Sequence, residues 1–172
     1  RVDGEGVFCG CDVVPVDSDE AREHARKYLV EAVRTLGAAA IAVGNGAGGR
    51  EAEISARGAL RDAGLAVPVI LVNEAAASVY ASSDAGRDEF LEMDPPGRSA
   101  VSLARRLQDP LAELVKIDPK SVGVGQYQHE VSGRSLKRGL DEVIESCVAQ
   151  VGVRLNTAHE ALLQRVAGLT PA

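Results

Sequence analysis

Residues 98–131 read RSAVSLARRLQDPLAELVKIDPKSVGVGQYQHEV, and prolines and glycines cut the stretch into parts. Ser99 to Leu107 has helical spacing, with Val101, Ala104 and Leu107 on one face and Arg98, Arg105 and Arg106 towards the other. Asp109-Pro110 restarts a helix, since aspartate suits the cap and proline the first helical position. That helix ends near Ile117, because Asp118 precedes Pro119 and is pushed out of helical geometry. Gly123 and Gly125 predict a sharp turn or a close backbone approach. Gln126, Tyr127, Gln128 and His129 follow as one polar and aromatic run. We expect this run to pack between the parts on either side, with the Tyr127 ring buried.

Upstream the pattern alternates. Residues 6–16 (GVFCGCDVVPV) read as extended, and Asp3-Gly4 with Glu5-Gly6 reads as a hairpin turn whose partner strand precedes Arg1. Ala21, Ala25, Tyr28, Leu29, Ala32, Val33 and Leu36 follow the spacing of one buried helical face. Asp17 with Glu20 resembles a capping box, and Gly37 suits a left-handed stop. Ala38 to Val43 reads as a buried strand, opening into Gly44-Asn45-Gly46-Ala47-Gly48-Gly49 and a helix from about Arg50 to Ala63. Pro68 to Asn73 is a β-branched run suited to a central strand covered on both faces, followed by Glu74 and a helix to about Ala85. Strand alternating with helix predicts a parallel α/β sheet.

Downstream only helices are predicted. Leu136, Leu140, Val143, Ile144, Cys147, Val148 and Val151 form an amphipathic stripe between Ser132 and Gly152. Asn156 is the expected cap of a last helix that ends at Gly168. The 172 residues thus divide into an α/β part over 1–97, a helical linker over 98–131 and a helical segment over 132–172.

Apolar residues make up 45% of the chain but aromatic ones only 3%, so the core is built from Ala, Val, Leu and Ile. The net charge of −6 opposes strong general binding to a polyanion and leaves room only for a local basic face. The candidates for that face are Arg98, Arg105, Arg106, Lys137, Arg138 and Arg165. No apolar run is long enough to cross a bilayer, and Cys9, Cys11 and Cys147 suit reduced cytoplasmic thiols. No second cysteine pair or nearby histidine completes a zinc site around Cys9 and Cys11.

The run SLARRLQDPLAELVKIDPKSVGVGQYQHEV resembles the signature segment of the bacterial Tex-type transcription accessory proteins. Weaker similarity extends through IAVGNGAGGRE, VPVILVNEAAASVYA and VGVRLNTAHEALLQRVAGL. The resemblance implies an RNase H-like α/β domain, its first strand lying before Arg1, followed by the start of a helix-hairpin-helix region. It implies a nucleic-acid-binding role without catalysis, with nucleic acid as partner, contact with transcription machinery possible, and no membrane. The alternatives are a metal-dependent nuclease or resolvase, which needs acids upstream of Arg1, and a protein-interaction scaffold.

Candidate sites follow from both lines of reasoning. Gly44, Asn45 and Gly46, between a strand and a helix, form a possible anion-binding turn, without the Lys-Ser/Thr of a P-loop or the spacing of a dinucleotide fold, so no cofactor is expected. Glu74 stands at a strand end where RNase H-like nucleases place one metal-binding acid. Two-metal chemistry needs several carboxylates around ions about 4 Å apart, so Glu74 alone is a weak remnant and no metal is expected. By resemblance, Gly168, Leu169 and Thr170, with Arg165 nearby, occupy the hairpin position of a helix-hairpin-helix unit.

Overall fold

The computed structural model describes residues 1–169, and its contacts gather into two units that divide after Glu74. In the first unit the longest element is α1 (Asp19–Leu36). Its cap is Ser18, whose hydroxyl accepts the Ala21 amide at 3.1 Å, one residue after the expected Asp17. Gly37 ends it in left-handed geometry, φ 61° and ψ 40°, which glycine adopts without a Cβ penalty. Two parallel strands follow, β1 (Ile41–Gly44) and β2 (Val69–Val72), with Ile41 opposite Val69 and Gly44 opposite Val72. Helix α2 (Gly49–Asp62) makes the crossover between them. The predicted parallel α/β arrangement is therefore present.

Val33, Ala56, Leu60 and Val69 form the core of this unit, backed by Leu29, Ile41, Val43 and Leu65. Polar clamps set the register of the helices. Buried Glu53 accepts from Arg50 at 2.8 Å and from Arg57 at 2.9 Å, and Arg57 also donates to the Val69 carbonyl. Arg26 on α1 reaches Asp62 at 2.8 Å and the Ser55 carbonyl at 3.1 Å.

Two sequence expectations are corrected here. The turn after Asp3 closes on the chain's own first residues: Val2 bridges Phe8 antiparallel, and Cys9 N–H donates to the Arg1 carbonyl at 2.9 Å. Residues 1–3 therefore form one arm of that hairpin. β2 is not covered on both faces either, since Ile70 and Leu71 remain more than a third exposed. Among the described residues the sheet has two strands, so β2 has an open edge and is not a central strand.

The second unit is helical. Its elements are α3 (Ala77–Ser82), α4 (Asp84–Glu89), α5 (Pro95–Gln108), α6 (Pro110–Leu114), α7 (Pro119–Val122), α8 (Gly133–Val151) and α9 (Glu160–Leu163). A 3-10 turn spans Gln126–His129. The single helix expected after Glu74 is broken at Ser83, whose extended backbone ends α3 while its hydroxyl accepts from Gly86 N–H at 3.1 Å and so caps α4. The aspartate-proline pairs behave as read: Asp109 and Asp118 cap α6 and α7. α5 starts earlier than predicted because Asp94 caps it, accepting from Gly97 at 2.9 Å, with proline in its first turn. The last helix is capped by the His159 ring, not by Asn156: Nδ1 accepts the Ala161 amide at 3.2 Å.

The main departure from expectation is the orientation of α5. Arg98 and Arg106 are buried and Arg105 nearly so, on the face that also carries Val101 and Ser102. Arg98 donates to the carbonyls of Ala81 at 2.9 Å and Phe90 at 3.2 Å, and Arg106 to that of Ala75 at 2.8 Å. Arg105 donates to Glu89, which also accepts the Tyr80 hydroxyl at 2.5 Å and the Lys116 ammonium at 3.3 Å. Glu113 completes the network, accepting from Ser102 at 2.9 Å and lying 2.7 Å from Lys116. The boundary expected near residue 97 thus falls inside a unit whose α3 and α4 are tied to α5 and α6 by charge. A second, apolar cluster of Val115, Val148 and Leu162 joins α6, α8 and α9.

Burial alone would raise the Glu89 pKa, but the hydrogen bonds from Tyr80 and Arg105 and the charge of Lys116 outweigh it and hold it at about 2. Because the folded value is depressed, this contribution to stability is complete above the ordinary value of 4.5 and is lost as pH falls through about 2. Glu89→Gln removes the charge and leaves buried cations underpaired, so chemical denaturation at neutral pH should show a loss of about 3 kcal/mol. The acid-dependent part of the stability curve should shrink in the same variant. Wild-type stability with an unchanged acid slope would show that the network does not hold the unit.

Candidate nucleic-acid interface

The carboxyl ends of β1 and β2 lie side by side, which brings the glycine turn and Glu74 together. Asn45 N–H donates to the Val72 carbonyl at 3.0 Å, and the Asn45 side-chain oxygen accepts the Glu74 amide at 3.1 Å. The Glu74 carboxylate rests over Gly46, where an added Cβ would stand 1.5 Å from its oxygen. Gly49 lets the turn enter α2, since a Cβ there would meet the Gly44 carbonyl at 2.0 Å. The turn therefore already holds one negative group, and an incoming phosphate at Gly44, Asn45 and Gly46 meets like charge. Glu74 is exposed, and among the described residues no three His, Cys, Asp or Glu side chains gather as a metal site.

The 3-10 turn at Gln126–His129 closes on itself. Gly125 precedes it with φ 148°, and the Gln128 side chain accepts the Val124 amide at 3.3 Å while approaching the His129 ring at 3.4 Å. These local bonds leave Tyr127 62% exposed, which corrects the expectation of a buried ring. Gly168 has the positive φ of a helix stop, 88°, and Leu169 N–H donates to the Val166 carbonyl at 3.0 Å. Thr170 lies outside the described residues.

The basic face expected from sequence is not available as such. Arg98, Arg105 and Arg106 are consumed inside the second unit, and Arg138 lies 3.6 Å from Glu142 on its own helix. Arg165 instead joins Lys137 around Asp141, at 2.6 and 2.8 Å. Both line a cleft of 270 Å³ with Ile117, Lys120, Leu140 and Asp141. Sequence reading missed this cleft. The Lys137–Asp141 spacing of four predicts their pairing, but nothing in the sequence brings Lys120 or Arg165 to them.

Two substitutions separate seat from scaffold at the strand ends. Gly49→Ala forces a side chain against backbone and should destabilise by about 1–3 kcal/mol. Gly46→Ala meets only the mobile end of Glu74, so its cost should stay below about 1 kcal/mol while the Glu74 side-chain resonances move. Equal costs for both would show that the turn is not packed as described. For the signature segment, Tyr127→Ala should change stability by no more than about 0.5 kcal/mol, as at exposed positions generally. A loss near 3 kcal/mol would restore a buried ring.

The sequence profile of the family described as "Tex protein YqgF-like domain" matches residues 1–108. The chain is 53% identical over 151 residues to "Uncharacterized protein YdcI" of Bacillus subtilis, covering 88% of this chain and 20% of that protein. It is 49% identical over 144 residues to "Transcriptional accessory protein Tex" of Neisseria gonorrhoeae, covering 82% of this chain and 19% of that protein. It is also 49% identical over 132 residues to "S1 RNA-binding domain-containing protein 1" of Homo sapiens, covering 75% of this chain and 13% of that protein. The chain thus spans a fifth or less of the length of these relatives. A profile that covers both strands, the glycine turn and the arginine-bearing α5 places the chain in the Tex YqgF-like domain family, with its RNase H-like fold.

Proposed function

We propose that this chain is a non-catalytic, nucleic-acid-binding part of a Tex-type transcription accessory factor. The observation that carries the reading is the seat of Glu74: its carboxylate lies over Gly46 at the strand end, and among the described residues no three His, Cys, Asp or Glu side chains gather as a metal site. Phosphoryl transfer through divalent metals needs a set of carboxylates to hold them, and one side chain does not supply it. The relatives' names support the nucleic-acid part, since one names a transcriptional accessory protein and another an RNA-binding domain. Contact with the transcription machinery and a cytoplasmic setting belong to the same proposal. Among the described residues no helix is long and apolar enough to cross a membrane.

The continuation of residues 160–169 into a helix-hairpin-helix unit is also part of this reading. Its support is the Gly168 stop, which has the geometry such a hairpin needs. A version of the chain extended beyond Ala172 should bind duplex DNA more tightly, because a second helix would present free amides to phosphate.

Incubation of the chain with DNA or RNA and magnesium or manganese should yield no cleavage product. Cleavage that disappears in Glu74→Gln would overturn the non-catalytic reading in favour of the nuclease. If neither the chain nor its extension bound nucleic acid even at low salt, the scaffold reading would replace it.

A further inference from the structure

We infer that the cleft between the α7 region and α8 is a binding site for the phosphodiester backbone of a nucleic acid. Its working groups are Lys120, Lys137 and Arg165. The inference rests on the nucleic-acid reading and gives it a location.

The charge balance of the cleft differs from that of the chain around it. The chain carries −6 overall, whereas the cleft is lined by Lys116, Lys120, Lys137 and Arg165 against Asp118 and Asp141. Lys116 is taken up by Glu89 and Glu113. Lys120 has no carboxylate partner among the described residues. Its own backbone amide is satisfied by Asp118 at 3.0 Å, which fixes the start of the segment that carries it.

Asp141 makes the cleft a built site and not a loose group of lysines. It receives the Lys137 ammonium at 2.8 Å from one turn earlier on α8 and the Arg165 guanidinium at 2.6 Å from the segment after α9. Those two cations hold its carboxyl below the ordinary aspartate range. Each keeps donors to spare. Arg165 uses Nη1 on Asp141, leaving the rest of its planar fork, and Lys137 uses one of its three protons. With Lys120 added, three cations surround two carboxylates, so the rim carries an excess positive charge. Asp141 orients the donors, and a phosphate oxygen takes the unused ones. Arg165 is about a quarter exposed and Lys137 mostly so, which leaves both within reach of a ligand from solvent.

The volume of 270 Å³ suits one or two phosphates of an extended backbone and is too small to enclose base pairs. The apolar wall from Ile117 and Leu140 has no hydrogen-bond donors with which to read base edges. The contact is therefore independent of base sequence, as expected for backbone recognition.

The test uses the whole chain with a 20-nucleotide single-stranded RNA and with a duplex DNA of the same length. Binding is followed by fluorescence anisotropy from low salt to physiological salt. Three contacts predict a slope of log K against log salt near −2.7 for duplex, at about 0.9 per phosphate. Lys120→Gln combined with Lys137→Gln should weaken binding at least about tenfold at low salt and reduce that slope by about 1.8. Arg138→Gln with Arg154→Gln removes the same net charge outside the cleft and should leave the slope unchanged. If both double variants lose equal affinity and slope, only net charge matters and the cleft is not the site. Full affinity in Lys120→Gln/Lys137→Gln would also overturn the inference while leaving nucleic-acid binding intact. Absence of binding by the wild-type chain to either probe would remove the inference together with the functional reading beneath it. Circular dichroism of each variant confirms that a lost interaction is not lost folding.

Discussion

The second unit depends on a buried exchange of charge. Glu89 at the end of α4 and Glu113 on α6 receive Arg105 and Lys116, with Tyr80 and Ser102 supplying the remaining hydrogen bonds. A buried carboxylate or ammonium is costly unless paired and hydrogen-bonded, so none of these groups tolerates removal of its partner. That requirement fixes α3, α4, α5 and α6 relative to one another more narrowly than apolar contact would. The rings of Phe90 and Tyr80 add to it, standing under Arg105 at 5.4 Å and Lys116 at 5.6 Å.

The same constraint shapes the surface. A chain with nineteen basic residues spends several of its arginines internally, as donors to Ala75, Ala81 and Phe90 carbonyls and to Glu89. What is left for an anionic partner is not the arginine run of α5 but a few cations farther along, gathered by Asp141. A count of basic residues therefore overstates the cationic surface, and position decides.

The first unit is organised differently, around glycine. Gly46 and Gly49 allow the end of β1 to turn into α2 with Glu74 and the Gly44 carbonyl in close approach. The ends of two adjacent parallel strands are where open α/β sheets place their ligand groups. Here that position holds Asn45, bonded to backbone, and the Glu74 carboxylate.

The sequence by itself determined a good part of this. Ala38–Val43 was legible as a strand as a short apolar run opening into glycines, and Pro68–Asn73 as a β-branched run, and their alternation with α1 and α2 dictated parallel pairing. Asp109-Pro110 and Asp118-Pro119 announced helix starts because the cap and the fixed proline φ act locally. What only the tertiary structure decided was that the arginines of α5 turn inward. Arg98, Arg105 and Arg106 lie at helical spacing from Val101 and Ser102 and share their buried face, but arginines read as solvent-facing as long as their partners are unknown. Glu89 and Glu113 lie several residues away in sequence on other helices, and only folding brings them against Arg105. The exposure of Tyr127, the closure of the cleft by Arg165 and the seating of Glu74 over Gly46 have the same origin. Each is set by a neighbour distant in the chain or by a backbone path, and hydrophobic pattern carries no information about either.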